Sequence, residues 1–283
     1  MNTVHDLRNQ LTSFVITVGD EPNLSECLAC LDAQSVEFQR ETIRDAAPMH
    51  RAFNEMHQRC RTPEFIQVDE DMLLFPDAVE RLHRALAEAP TETAIIAAPL
   101  WDVQVERPIY GVKIHRTEIV ARFPHRDTVS CEVAHNKELT EAGFAVQSLP
   151  LAWSREACFG LHGKNYTPDT AFVRWKRLFI KRRLTGRPLW AAPWPARFLD
   201  RYQRTGSQID LYSFLGAVSA LSEQQPSDNE LDFRDRGEDF ERIRTALESD
   251  LRGRETIREV GEAARTRVDR WTRWLRRRIG GGR

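Results

Sequence analysis

Short β-branched segments alternate with amphipathic helical segments at close intervals through residues 13–98, and no other feature constrains the fold as much. Ser13-Phe14-Val15-Ile16-Thr17-Val18 reads as a strand stopped by Gly19-Asp20-Glu21-Pro22, and a helix from about Leu24 to Ala33 follows. Glu41-Thr42-Ile43 reads as a second short strand. Pro48 to Cys60 reads as a helix in which Ala52, Met56 and Cys60 recur near helical spacing. Pro63 breaks that helix, and the next strand, Glu64-Phe65-Ile66-Gln67-Val68, runs straight into Asp69-Glu70-Asp71. Phe75-Pro76-Asp77 opens a helix to about Glu88, with Pro76 suited to its first turn, and Thr93 to Ala98 is a buried-type strand. Such alternation predicts an α/β fold, a mostly parallel sheet flanked by helices, whose ligands bind beyond the carboxyl ends of the strands. Both acidic loops, Asp20-Glu21 and Asp69 to Asp71, fall at such ends.

Beyond Pro99 the pattern loosens. Pro108 to Ile114 reads as a strand, Thr117 caps a helix to Phe123, Asn136 to Gly143 ends a helix on glycine, and Phe144 to Leu149 is a strand. Thr167-Pro168-Asp169 starts a helix bearing Arg174, Lys176, Arg177, Lys181, Arg182 and Arg183, which reads either as a face for a diphosphate or as a solvated face. Pro188, Trp190, Pro193, Trp194 and Pro195 mark a connector. The predicted organisation is an α/β domain over residues 1–185, then a Pro/Trp connector and a helical C-terminal extension over 186–283.

Composition narrows the class. With 41% hydrophobic and 29% charged residues, the chain has material for a core and is not globally disordered. No apolar run approaches the ~18 residues of a spanning helix, and Met1 to Gln10 lacks the apolar core of a secretory signal. Five thinly spread cysteines fit a reducing cytoplasm, and Cys27 and Cys30 read as helix packing positions. The net charge of −1 conceals an asymmetry, because Arg265 to Arg283 holds eight arginines against the single acid Asp269. Val268, Trp271, Trp274 or Leu275, and Ile279 share one side of a helix there. That pattern suits either peripheral contact with the inner face of an anionic membrane or packing on the protein's own body. Nucleic acid is a poorer fit to an acidic body with no aromatic-basic motif.

Asp69 and Asp71, one residue apart on a turn after an apolar strand, can present carboxylates to one small hard cation, Mn2+ or Mg2+. Three acids between apolar segments repel unless a cation sits among them. His125-Arg126-Asp127 spells a kinase triplet, but the glycine-rich loop, the downstream asparagine and DFG are missing. A P-loop and a GxGxxG after the first strand are missing as well. A sugar nucleotidyltransferase needs a glycine-rich, Arg-bearing loop where this chain has Gly19-Asp20-Glu21-Pro22-Asn23.

The stretch Ser13 to Leu86 resembles the donor half of family-2-type glycosyltransferases of the Rossmann-like GT-A fold. The residues that carry the resemblance are Phe14-Val15-Ile16-Thr17, Cys27-Leu28 with Gln34, and the strand, DxD, apolar, Pro-Asp-Ala pattern of Val68 to Ala78. It continues less tightly to His162. Gly19 or Asp20 stands where the family carries asparagine. The resemblance implies a nucleotide-sugar donor and Mn2+ or Mg2+, with Thr17, Asp20, Asp45, Asp69 and Asp71 at the donor. It implies Asp69, Asp71 and His162, between glycines in Phe159 to Gly163, around the metal. The family's acidic motif at a helix start matches Ser130-Cys131-Glu132, followed by Glu138-Leu139 and Ala142-Gly143-Phe144, which makes Glu132 the base; Asp127 competes. The implied acceptor is a glycan, a lipid-linked group or a protein. A silent binding module of the same fold and an unrelated metal-dependent hydrolase are the competing readings.

Overall fold

A computed structural model describes residues 5–17, 21–185, 193–222 and 237–249. They belong to two compact units, Met1–Asn165 and Tyr166–Arg283. Asp20, the Gln224 to Asn229 loop and the arginine-rich 265–283 tail lie outside the described residues.

The first unit runs β1 (His5–Asp6), β2 (Leu11–Thr17), α1 (Glu21–Asp32), β3 (Val36–Glu37), β4 (Gln39–Arg44), α2 (Met49–Arg59), β5 (Glu64–Asp69) and β6 (Met72–Leu74). It continues with α3 (Ala78–Glu88), β7 (Thr93–Asp102), β8 (Arg107–Arg116), α4 (Thr117–Val120), α5 (Cys131–Glu141), β9 (Ala145–Ser148) and β10 (Gly160–His162). The main sheet has the order β4-β2-β5-β8-β7-β10-β6, with β9 also on β7. β2 pairs in parallel with β4 and β5, and β7 with β9 and β10; β8 and β6 run antiparallel to their neighbours. The expected α/β architecture is therefore present, with two reversed strands in a sheet of otherwise common direction.

Side chains alternate across the strands, as a two-residue period requires. Phe14, Ile16, Phe65 and Ile95 face a layer containing Phe53 and Met56 of α2 and Cys131 and Leu139 of α5. Val15, Ile66, Val68, Ile96 and Ala98 face Leu24 and Cys27 of α1 and Val79, Leu82 and Leu86 of α3. Cys27 is thus a buried free thiol packed in the core. β7 extends past the Ala98 at which the sequence reading ends it. Proline ordinarily stops a strand, but the ladder shifts register between Ala97 and Pro99, where a missing N–H is tolerated.

The second unit contains α6 (Pro168–Thr185), α7 (Trp194–Thr205), α8 (Gln208–Ser222) and α9 (Gly237–Ser249). Trp175 packs edge-on against Phe198 at 4.6 Å between ring centroids. Gly216 lets α8 approach α6 closely, since a Cβ there would lie 2.2 Å from the Phe172 carbonyl oxygen. The division falls ahead of α6, whereas the sequence reading keeps that helix with the sheet through residue 185. Trp194 and Pro195, read as connector, open α7, where proline costs no helix hydrogen bond. On α6, Arg177 is buried, Arg183 donates to the Ala220 carbonyl at 2.8 Å and Arg174 lies over the Tyr166 ring. Part of this basic helix is therefore engaged within its own unit. No helix among the described residues is long and apolar enough to cross a membrane.

Candidate functional site

The carboxyl ends of three parallel neighbours, β4, β2 and β5, bring Asp45, Thr17 and Asp69 to one edge of the sheet. Asp45 is exposed, has a left-handed backbone (φ 57°) and donates its N–H to the Thr17 carbonyl at 3.1 Å. Asparagine and aspartate tolerate that conformation better than most residues. The Thr17 hydroxyl donates to the buried Glu70 carboxylate, and the Glu70 N–H donates to Ile16 at 3.0 Å. Glu70 thereby knits the acidic turn to the end of β2.

Asp69 projects from the opposite face of β5, in the row Phe65, Gln67, Asp69. Burial, reinforced by Asp71 and Glu132, pushes its carboxyl up to about 6, against the pull of Lys113 and His162. Burial opposes the charge on Lys113, but Glu132 and Asp69 outweigh it and hold the ammonium above its ordinary range. Lys113, on β8, forms an ion pair with Glu132 in the first turn of α5. Glu132 is therefore felt at the acidic turn. Asp127 is half-exposed and faces His50 of α2 at 3.6 Å.

Only Glu70 and Asp71 separate β5 from β6, yet β6 lies at the far end of the strand order beside β10. That excursion sets His162 next to the turn. In the β10–β6 register His162 opposes Met72, and the Gly163 N–H donates to the Asp71 carbonyl at 3.0 Å. On its other side His162 opposes Asp102, the last residue of β7. His162 Nδ1 lies 3.0 Å from Asp102 Oδ2, and Nε2 lies 3.5 Å from Asp71 Oδ2. Asp102 is fully buried, and its Oδ1 accepts the N–H groups of Gln104 and Val105, both at 3.0 Å.

A carboxylate so pinned accepts the hydrogen bond from Nδ1–H, which keeps the proton on Nδ1 and leaves the Nε2 lone pair facing Asp71. Two electron-rich groups at that separation call for a proton or a cation between them. With Asp69 also raised, the oxygen and imidazole donors fit a hard or borderline divalent ion. Sequence reasoning missed Asp102, whose only signal is a carboxylate ending the apolar run Pro99-Leu100-Trp101. It also missed Glu26 of α1, which pairs with Lys164 and Asn165 just beyond Gly163. Those two partners hold Glu26 below the usual carboxylate range.

No family model and no curated protein matches the chain. Among solved structures it is similar to the mannosyltransferase PcManGT from Pyrobaculum calidifontis in complex with GDP-Man and Mn2+. The identity is 11%, with 96% of this chain and 90% of that one covered, at a TM-score of 0.47. It is also similar to S. aureus TarS 1-349 in complex with UDP, at 10% identity, 79% and 98% coverage and a TM-score of 0.39. A 4-diphosphocytidyl-2C-methyl-D-erythritol synthase from Anaerococcus prevotii covers 52% of the chain at 6% identity and a TM-score of 0.36. At these scores the likeness carries no activity or ligand over to this chain.

Proposed function

We propose that this chain is a metal-dependent GT-A-type glycosyltransferase that moves a sugar from a nucleotide-diphosphate donor to an acceptor hydroxyl on a glycan, a lipid-linked group or a protein. The observation that carries the proposal is the assembly of Asp71 and the Asp102-oriented His162 beside Asp69, at the strand edge where α/β sheets bind ligands. Asp71 and His162 would hold Mn2+ or Mg2+, with Asp69 joining through oxygen or water. When bound, that ion supplies charge compensation for the departing diphosphate. Thr17 and Asp45, at the ends of β2 and β4, border the donor's nucleoside side.

Glu132 is the base that takes the acceptor hydroxyl proton, and Lys113 orients it. Glu132 is preferred over Asp127 because it acts electrostatically on Asp69. Asp102 acts one step removed, as the group that fixes the His162 tautomer.

A nucleotide-sugar panel with Mn2+, Mg2+ or chelator, read by released nucleoside diphosphate, tests this. One donor class should turn over, and only with metal. Glu132→Gln should lower turnover about 10²–10⁴-fold, the range for a removed general base, with diphosphate binding unchanged. Calorimetric diphosphate binding without turnover of any donor would identify a binding module instead, and metal-dependent hydrolysis indifferent to the nucleotide would identify a hydrolase. For Asp102→Asn, we expect a Mn2+ affinity about 10–100-fold weaker by spin-resonance titration of free Mn2+, as for other partners of metal-bound histidine. An unchanged affinity would remove Asp102 and His162 from the metal's surroundings.

A further inference from the structure

Among the described residues, the three metal-ligating side chains that already converge are not at the acidic turn. They are His57 of α2, His125 between α4 and α5, and His135 of α5, whose donor nitrogens lie within 4.8 Å of one another. The rings sit against the apolar layer beside the sheet, with Phe53 4.8 Å from His125 and Phe65 5.7 Å from His57 between ring centroids. His57 Nε2, His125 Nδ1 and His135 Nε2 are all buried with no hydrogen-bond partner. Buried polar atoms are ordinarily paired, so three orphans facing one another need an explanation.

The other contacts of the rings sharpen that point. His125 hydrogen-bonds the backbone at Cys131, and His135 the backbone at Val120 and Phe123. A backbone carbonyl accepts a ring N–H and so places the lone pair on the opposite nitrogen, the arrangement that metal-bound histidines use. Burial holds His57 down to about 3 and His135 down to about 4, and His125 lower still, so all three rings are neutral at physiological pH. Neutral imidazole is the form that binds a metal, and no proton need be displaced.

We infer that His57, His125 and His135 form a second metal site, separate from the acidic turn, that takes a single borderline divalent transition ion, Zn2+ above all. Imidazole nitrogens suit Zn2+, whereas Mg2+ prefers oxygen. His115 on β8, stacked on Phe65 at 4.4 Å, is a further buried imidazole of the same layer, with both of its nitrogens unpartnered. The nearest charged groups, Lys113 and Glu132, are paired to each other. His125 and His135 stack at 4.0 Å with their planes 26° apart, so loading the ion requires these rings to turn about their Cβ–Cγ bonds. The ion would clamp α2, the α4–α5 segment and α5, and His135 stands one helical turn beyond Glu132. This site does not depend on the transferase reading.

The test strips the full chain with chelator and adds Zn2+ or Co2+ to three proteins: the unaltered chain, Asp69→Asn/Asp71→Asn, and His57→Leu/His135→Leu made on that same aspartate background. In the aspartate variant we expect one tightly held zinc, a zinc-dependent rise in Tm and the intense visible bands of tetrahedral Co2+. The leucine variant should lose at least about 100-fold in zinc affinity, the upper end for losing even an outer partner of a bound histidine. It should melt cooperatively at a temperature indifferent to zinc. Should it not fold, His57→Gln, read in the same way, takes its place. The inference is overturned if the aspartate variant holds no zinc, or if the histidine variant binds it undiminished.

Discussion

Asp71→Asn should reduce donor turnover by about 10³-fold or more while leaving the thermal midpoint unchanged or slightly raised. Charge compensation of a leaving diphosphate by a bound ion is worth several kcal/mol, and each ~1.4 kcal/mol is a factor of ten in rate. The substitution keeps the side chain's size and removes the charge facing His162 Nε2 at 3.5 Å. It also removes one of the two carboxylates that push Asp69 up, which relieves repulsion in the metal-free protein. Turnover measured beside circular dichroism separates the two effects. A folded Asp71→Asn protein with full activity would refute the metal assignment at this turn.

The second large effect comes from a residue without a side chain. A Cβ on Gly160 would lie 2.4 Å from the Leu73 carbonyl oxygen and 2.8 Å from Leu74 Cα, both backbone atoms of β6. Neither can give way without opening the β10–β6 ladder, which also carries the His162 to Met72 register. Gly160→Ala should cost about 1–3 kcal/mol, the usual range for overpacking. It should also lower turnover about 10²-fold, because misplacing a site group by roughly 1 Å costs that much. Gly143→Ala is the control. Gly143 has φ 89° and no atom within 4 Å of an added Cβ, so alanine there strains the backbone without crowding the site. Denaturant midpoints and turnover for both variants decide the matter: stability should fall in each, and activity only with Gly160→Ala. Equal activity in both would mean that β10 does not position the site.

How much was legible depended on how local each signal is. β2, β5, α2 and α3 each carry a complete periodic pattern within a few turns or pleats, so the first half of the sheet could be written down from sequence. β10 could not. Three residues with two glycines nearby show no period, and the strand exists because β6 and β7 offer it edges. α5 begins at Cys131, where the family motif at Ser130-Cys131-Glu132 implies a helix start, whereas the local pattern shows helix only from about Asn136; Cys131 is buried in the layer beside the sheet, which no local period signals. The three converging histidines gave no warning either. They are spread from residue 57 to residue 135, and no spacing rule connects α2, a loop and α5.

The sequence by itself determined the α/β class and the position of the Asp69 to Asp71 turn at a strand's carboxyl end. Both follow from side-chain period and chain punctuation, which neighbouring residues carry. Only the tertiary structure decided what that turn faces. It sent β6 to the far side of the sheet, set His162 between Asp71 and the buried Asp102, and separated Glu70, bonded to Thr17, from Asp69, turned toward Lys113 and Glu132. Strand order and register place residues sixty or more positions apart within hydrogen-bond reach. No local pattern contains that information, because it arises from which edges remain open once the first strands have paired.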